Sequence, residues 1–301
     1  MNVLNFKKIE LSDKDAAVEL LKRSNFRGCD YTFGNSFVWS EIYDIEYCIA
    51  EGFFFRKTGK GSKTWFVFPA GSDDVSRAVE IMSDYCKELG ISLQITANKQ
   101  IADKISGIYP NADIKLNRDI CDYIYLAEDL EELKGKKYHA KRNHLNRFYE
   151  NDWSFEPLIS ENIAECREMN KLWRSENIDE CRLCSQDADV QSKLDELCVV
   201  ERSLSHYDEL GYIGGVIRVN GEVQAFTFGE PSSDDCFVVH VEKALRQYQG
   251  AYTAINREFV RSLGGRYKYI NREDDAGSEN LRKAKLSYYP VFMEEKFDIK
   301  F

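Results

Sequence analysis

The 301-residue chain carries 41 Lys+Arg against 51 Asp+Glu, a formal net charge of −10, with 43% hydrophobic and 31% charged residues. That apolar content excludes intrinsic disorder, and no apolar run approaches the ~18 residues needed to cross a bilayer. The N-terminal residues Met1 to Lys8 lack the apolar centre of a signal peptide, so the expectation is a cytosolic protein of two domains, or one large one. The nine cysteines are scattered and odd in number, as reduced core thiols are. Cys181 and Cys184 form a C-x-x-C pair, but no second pair or histidines at ligand spacing follow, so no metal is expected. An acidic total argues against a general nucleic-acid coat.

In chain order, Asn5–Glu10 reads as a strand. Ser12-x-x-Asp15 approximates a capping box ahead of a helix through Lys22. The aromatic run Tyr31–Tyr47 reads as a core-facing helix and turn. Strands follow at Glu46–Ala50, Phe53–Lys57 and Thr64–Phe68, with glycine turns between them. Asp73–Leu89 is an amphipathic helix closed by Gly90. Ile91–Thr96 is a strand, Lys99–Ile105 a helix and Ile114–Leu126 extended. A basic helix is expected from Leu130 to Asn151. Within it, residues 134–147 hold six Lys/Arg, two His and no acid.

A second α+β pass then begins. Helices are read at Glu161–Ser175 and Val190–Leu204. Strands are read at Tyr212–Val219, Glu222–Phe228 and Phe237–Val241, with Asn220-Gly221 as a hairpin turn. Gly250–Leu263 is a helix, Tyr267–Ile270 a strand, Glu279–Tyr288 a helix and Val291–Phe297 a last strand. The order divides into a domain of residues 1–128, a basic connecting helix at 129–151 and a domain of residues 152–301.

Two segments could carry chemistry. After the strand Phe237–Val241, the turn containing Gln247-x-x-Gly250-x-Tyr252 leads into a helix. Backbone N–H groups at such a start bind anions, and glycine allows close approach; an ordinary turn before a helix reads the same way. Further on, Glu273, Asp274 and Asp275 stand at a strand end, where a carboxylate serves as base or orients an ammonium group. Arg282, Lys283 and Lys285 follow on the next helix, suited to phosphates.

Three segments together are distinctive: Gly135-Lys-Lys-Tyr-His-Ala-Lys-Arg-Asn-His-Leu-Asn-Arg-Phe148, Val239-His-Val-Glu-Lys-Ala244, and Asn271-Arg-Glu-Asp-Asp-Ala-Gly277 through Leu281-Arg-Lys-Ala-Lys-Leu-Ser-Tyr288. With Tyr31–Trp39, they resemble bacterial proteins related to the C-terminal domain of phosphatidylglycerol lysyltransferases. The resemblance implies an α+β fold of two tandem GNAT-like (acyl-CoA N-acyltransferase) domains, each a mainly antiparallel sheet flanked by helices, as in the Fem-type transferases. It implies an acyl- or aminoacyltransferase, with acyl-CoA or aminoacyl-tRNA as donor and an amine or hydroxyl acceptor on a small molecule or peptide. Where the lysyltransferases carry Asp-x-x-Arg, this chain has His240-x-x-Lys243. Tyr252 replaces the small residue that ends the coenzyme A loop, and no multi-span membrane segment is present, so a phospholipid acceptor is not expected.

The expected site therefore places catalysis on His240, Glu242, Lys243 and Glu273. Donor binding falls to Gln247, Gly250, Ala251, Arg282, Lys283, Lys285, Lys141 and Arg142, with tRNA a possible partner. The other expectation is a non-catalytic GNAT-like protein that binds a nucleotide, an acidic ligand or a partner protein. A cleft plugged by Tyr252 or Tyr248 would favour it.

Overall fold

The computed structural model describes residues 4–178 and 188–301. Cys181 and Cys184 lie outside the described residues. By internal packing the chain forms two compact units, one of the chain up to Ile124 with Pro231–Asp234 and Asn271–Phe301, the other of Tyr125–Glu230 and Asp235–Ile270. These limits differ from the expected boundaries at 128/129 and 151/152. The physical reason for the largest difference is strand pairing, because the C-terminal strand joins the first unit's sheet.

In the first unit, β1 (Lys7–Lys8) precedes α1 (Lys14–Ser24) and α2 (Phe33–Val38). Then come β2 (Glu46–Ala50), β3 (Phe53–Thr58), β4 (Trp65–Ala70), α3 (Val75–Leu89), β5 (Gln94–Asn98), α4 (Lys99–Ile108), β6 (Asp113–Leu116) and β7 (Asp122–Leu126). The chain passes into the second unit within β7 and returns later for α11 (Glu279–Leu286), β13 (Phe292–Glu294) and β14 (Lys296–Lys300). The sheet order is β1-β2-β3-β4-β5-β14-β6. β4 and β5 run parallel, and β14 inserts antiparallel between β5 and β6. β13 pairs antiparallel with β7, Phe292 opposite Ile124.

The single last strand expected over Val291–Phe297 is thus two strands with different partners. Helix starts also differ from expectation. Ser12 does not cap α1; Asp13 instead accepts a bond from the Glu10 amide at 2.9 Å, and a short 3-10 turn comes first. α3 forms as read, with Asp74 accepting from the Arg77 amide at 2.9 Å and Gly90 left-handed at φ +66°. Its buried Val75, Ala78, Val79, Met82 and Cys86 recur every three or four residues and meet Phe53, Phe55, Phe66 and Ile95 of the sheet. Each valine, methionine, isoleucine or phenylalanine among them contributes about 1.5–3 kcal/mol when fully buried.

The second unit contains α5 (Ala127–Glu132), α6 (His139–Phe148), β8 (Trp153–Pro157), α7 (Ile163–Asn177), α8 (Ala188–Ser205), α9 (Tyr207–Leu210), β9 (Ile213–Val219), β10 (Glu222–Ser233), β11 (Cys236–Ala244), α10 (Ala251–Ser262) and β12 (Tyr269–Asn271). Its strands lie in the order β12-β11-β10-β9-β8. Asn220 and Gly221 both take positive φ, +52° and +83°, as the expected two-residue hairpin turn requires.

The expected helix from Leu130 to Asn151 is broken. Leu133 is left-handed at φ +49° and Gly135 stands at φ +85°, so α5 ends and a 3-10 turn over Lys136–Tyr138 precedes α6. On α6, Leu145 and Phe148 pack with Tyr138, Ile217, Ala254 and Ile255 in this unit's core.

Candidate active site

β11 carries His240, Glu242 and Lys243 out of the sheet toward the α10 turn. Strand pleating puts His240 and Glu242 on one face and Lys243 on the other, and each of the three has its own partner. His240 Nε2 lies 3.1 Å from Glu230 Oε1, both side chains under 10% exposed, and its ring packs on Tyr212. The Asn256 amide of α10 donates to Glu242 at 3.0 Å. Lys243 is only 2% exposed, with its Nζ 2.7 Å from Glu196 of α8 and 3.4 Å from the centre of the Trp173 ring of α7. Burial lowers the Lys243 pKa, opposed by the Glu196 carboxylate.

Tyr252, in the first turn of α10, completes this arrangement. Its hydroxyl oxygen accepts the Trp173 indole N–H at 2.8 Å and a backbone bond at Ala244. Burial, and then the Glu242 and Glu196 charges, raise its pKa. The phenol therefore keeps its proton, and both of those bonds use its oxygen.

The glycine in the turn has a structural use. Gly250 sits at φ +95°, and a Cβ there would come 2.3 Å from the carbonyl oxygen of His144 on α6. The absent side chain makes room for that carbonyl. Gln247 donates to Gln224 of β10, Gln249 accepts from Arg147 at 2.9 Å, and Ala251 is buried. Arg142 donates to the carbonyls of Leu133 and Gly135, closing the end of α5. Lys141 lies half-buried on α6.

Glu273 belongs to the first unit, as do Arg282, Lys283 and Lys285. Glu273 is left-handed at φ +55°, and its amide donates to Asn271 at 2.7 Å. The neighbouring Asp275 is a hub, its side chain without exposed surface. It accepts from the Tyr123 hydroxyl at 2.5 Å, Arg118 at 3.2 Å, Arg282 Nε and Nη2 at 2.9 Å, and the Gly277 amide at 3.0 Å. Despite its burial, these donors, Arg282 first, hold its pKa down at about 2. Lys285 donates to the carbonyls of Arg272 and Asp274. Of the three cations expected to hold phosphate, Lys283 alone is highly exposed, 4.0 Å from Glu279.

Sequence reasoning missed a second polar cluster in the first unit. Lys296 on β14 is buried, its Nζ 2.7 Å from Asp30, 2.8 Å from Asp122 and 3.3 Å from Cys29 Sγ. Asp122 also accepts from the Cys29 amide at 2.8 Å and from Asn271 at 2.9 Å. Arg56 donates to the Asp30 carboxylate at 2.7 Å and to Ser36 at 3.0 Å. Ligand-type atoms of Cys29, Asp122 and Asp274 lie within 4.8 Å of one another, but the cation bonded to two of them is Lys296. Asp122 opens the largely apolar strand β7 and Lys296 opens the mixed strand β14, so little in the sequence marks either.

The family described as phosphatidylglycerol lysyltransferase, C-terminal, matches residues 21–300. The chain belongs to that family. A conserved protein of unknown function from Bacteroides thetaiotaomicron is 34% identical, superposes with a TM-score of 0.90 and covers 99% of both chains. L-PGS from Bacillus licheniformis shares the fold at a TM-score of 0.67 and 13% identity, over 97% of this chain and 92% of that one. An uncharacterized protein of Mycoplasmoides gallisepticum is 22% identical over 183 residues, which make up 60% of this chain and 56% of that protein. The chain's two sheets flanked by helices make it an α+β member of an acyltransferase-related family, as its segments imply. No helix among its described residues is long and apolar enough to cross a membrane.

Proposed function

We propose that the chain transfers an acyl or aminoacyl group from acyl-CoA or aminoacyl-tRNA to an amine acceptor at the end of β11. The observation that carries this reading is Lys243, a buried lysine held against Trp173 and Glu196 beside the first turn of α10. An isolated buried ammonium is costly, and perturbed groups of this kind concentrate at functional sites.

In this reaction the acceptor nitrogen attacks the donor carbonyl. A C–N bond forms, and the ribose ester C–O bond or the thioester C–S bond breaks. The proton lost by the amine goes to His240, whose ring Glu230 orients, or to Glu242. Lys243 offsets charge on the tetrahedral oxyanion. Tyr252, protonated and with its oxygen already accepting two donors, supplies a proton to the departing alkoxide or thiolate and regains one from water. Arg142 is engaged by the carbonyls of its own unit, and Arg282 and Lys285 by the carboxylates and carbonyls of theirs.

Two observations favour a non-catalytic reading. Gln247 bonds Gln224, and the space at Gly250 is filled by the His144 carbonyl, so groups expected to meet the donor meet the protein instead. Incubation with acetyl-CoA and with charged tRNA across a panel of amines separates the two readings. Product with either donor supports transfer; binding of donor without product supports the binder; neither product nor binding removes both.

A further inference from the structure

The first unit contains a pocket that the transfer reaction does not use. It is lined by Gly28, Asp30, Tyr31, Asn98, Glu294 and Lys296, among others, and its volume is ≈ 10 Å³, room for about one water molecule. One group in it lacks what buried polar groups normally have, and a second, half-buried carboxyl stands beside it. Tyr31 is 5% exposed and its hydroxyl has no hydrogen-bond partner. The half-buried Glu294 carboxyl makes no hydrogen bond or ion pair among the described residues. Lys296 and Arg56 are matched against Asp30 and Asp122.

We propose that this pocket binds a primary ammonium group, the end of a small amine or of an amine-bearing chain. Three N–H donors require three acceptors, and the pocket offers the Tyr31 hydroxyl, the Glu294 carboxylate and the remaining lone pairs of Asp30. The space admits a water-sized head and excludes a quaternary ammonium. With Asp30 and Asp122 matched by Lys296 and Arg56, the Glu294 carboxylate is the charge in the pocket that favours a cation.

Proton linkage follows from the same geometry. Burial pushes the Glu294 carboxyl up to about 7; Asp122 and Glu295 raise it further, while Arg27 and Lys296 oppose them. A bound ammonium favours the ionised carboxylate, so binding weakens as pH falls below that value. The inference is independent of the transfer reaction, and a protein inactive in transfer would still show it.

The test is an NMR titration of the full chain, labelled at the glutamate carboxyl carbon, with methylammonium chloride, and with tetramethylammonium chloride at matched ionic strength. Saturating methylammonium should lower the Glu294 midpoint by about one pH unit, and tetramethylammonium should leave it unmoved. Glu294→Gln should weaken methylammonium binding about tenfold, as loss of a charged hydrogen bond does, and abolish its pH dependence. Tyr31→Phe, which keeps the ring packing, should weaken it less. An unmoved Glu294 signal, or equal responses to the two cations, would mean that the pocket holds only water and would overturn the proposal.

Discussion

Asp275 gathers Tyr123, Arg118, Arg282 and the Gly277 amide around one buried carboxylate. Removing its charge leaves two guanidinium groups facing a neutral amide, so Asp275→Asn should destabilise the protein by about 3 kcal/mol in urea denaturation. The sign of its pH dependence follows from a folded value, about 2, below the ordinary 3.8. Its stabilisation is complete above 3.8 and is lost as pH falls toward 2, so the variant's acid unfolding should be flatter in that window. Glu294 acts in the opposite sense, with a folded value of about 7 above the ordinary 4.5. Its contribution is present below 4.5 and lost as pH rises through 7, and stability measured between those limits should fall less steeply in Glu294→Gln. None of these roles was readable from the residue alone. Asp275 looked like one of three equivalent acids, and Arg282 and Lys285 like phosphate ligands, because sequence spacing does not reveal which charges fold onto one another.

At the scale of elements, legibility followed locality. α3, the β9–β10 hairpin and α10 were readable because period, cap and turn residues agree within a few positions. The basic helix was misread as continuous because Gly135 is its only local breaker, while the decisive left-handed residue is Leu133, which has no intrinsic preference for that conformation. Arg142, donating to the Leu133 and Gly135 carbonyls, satisfies the freed end of α5. The split of the last strand was invisible for a related reason, since the partners of β13 and β14 are more than a hundred residues away in sequence. Gly250 gives a test at this scale. At φ +95°, with a Cβ 2.3 Å from the His144 carbonyl, Gly250→Ala combines backbone strain with a clash. It should lower stability by about 2 kcal/mol, measured by thermal denaturation. An alanine variant as stable as the parent would show that α6 and the turn can separate freely.

For the whole molecule, the net charge of −10 was a poor guide to the candidate site. Many of the basic residues that stood out are held by the protein's own carboxylates and carbonyls, while the informative charges, Lys243 and Lys296, are single buried residues in strands. Fold and family were legible because distinctive segments recur along the chain, and the match over residues 21–300 agrees with them. The reaction was legible only as a class, because donor and acceptor depend on side-chain contacts made by folding, such as Tyr252 with Trp173. The most direct measurement is single-turnover product formation by the parent chain and by Lys243→Met, using the donor that gives product with the parent. Transfer at Lys243 predicts a rate at least about 100-fold lower in the variant, with donor binding retained and the circular dichroism unchanged. Equal rates in the two proteins, or no product from the parent with acetyl-CoA or charged tRNA, would contradict it.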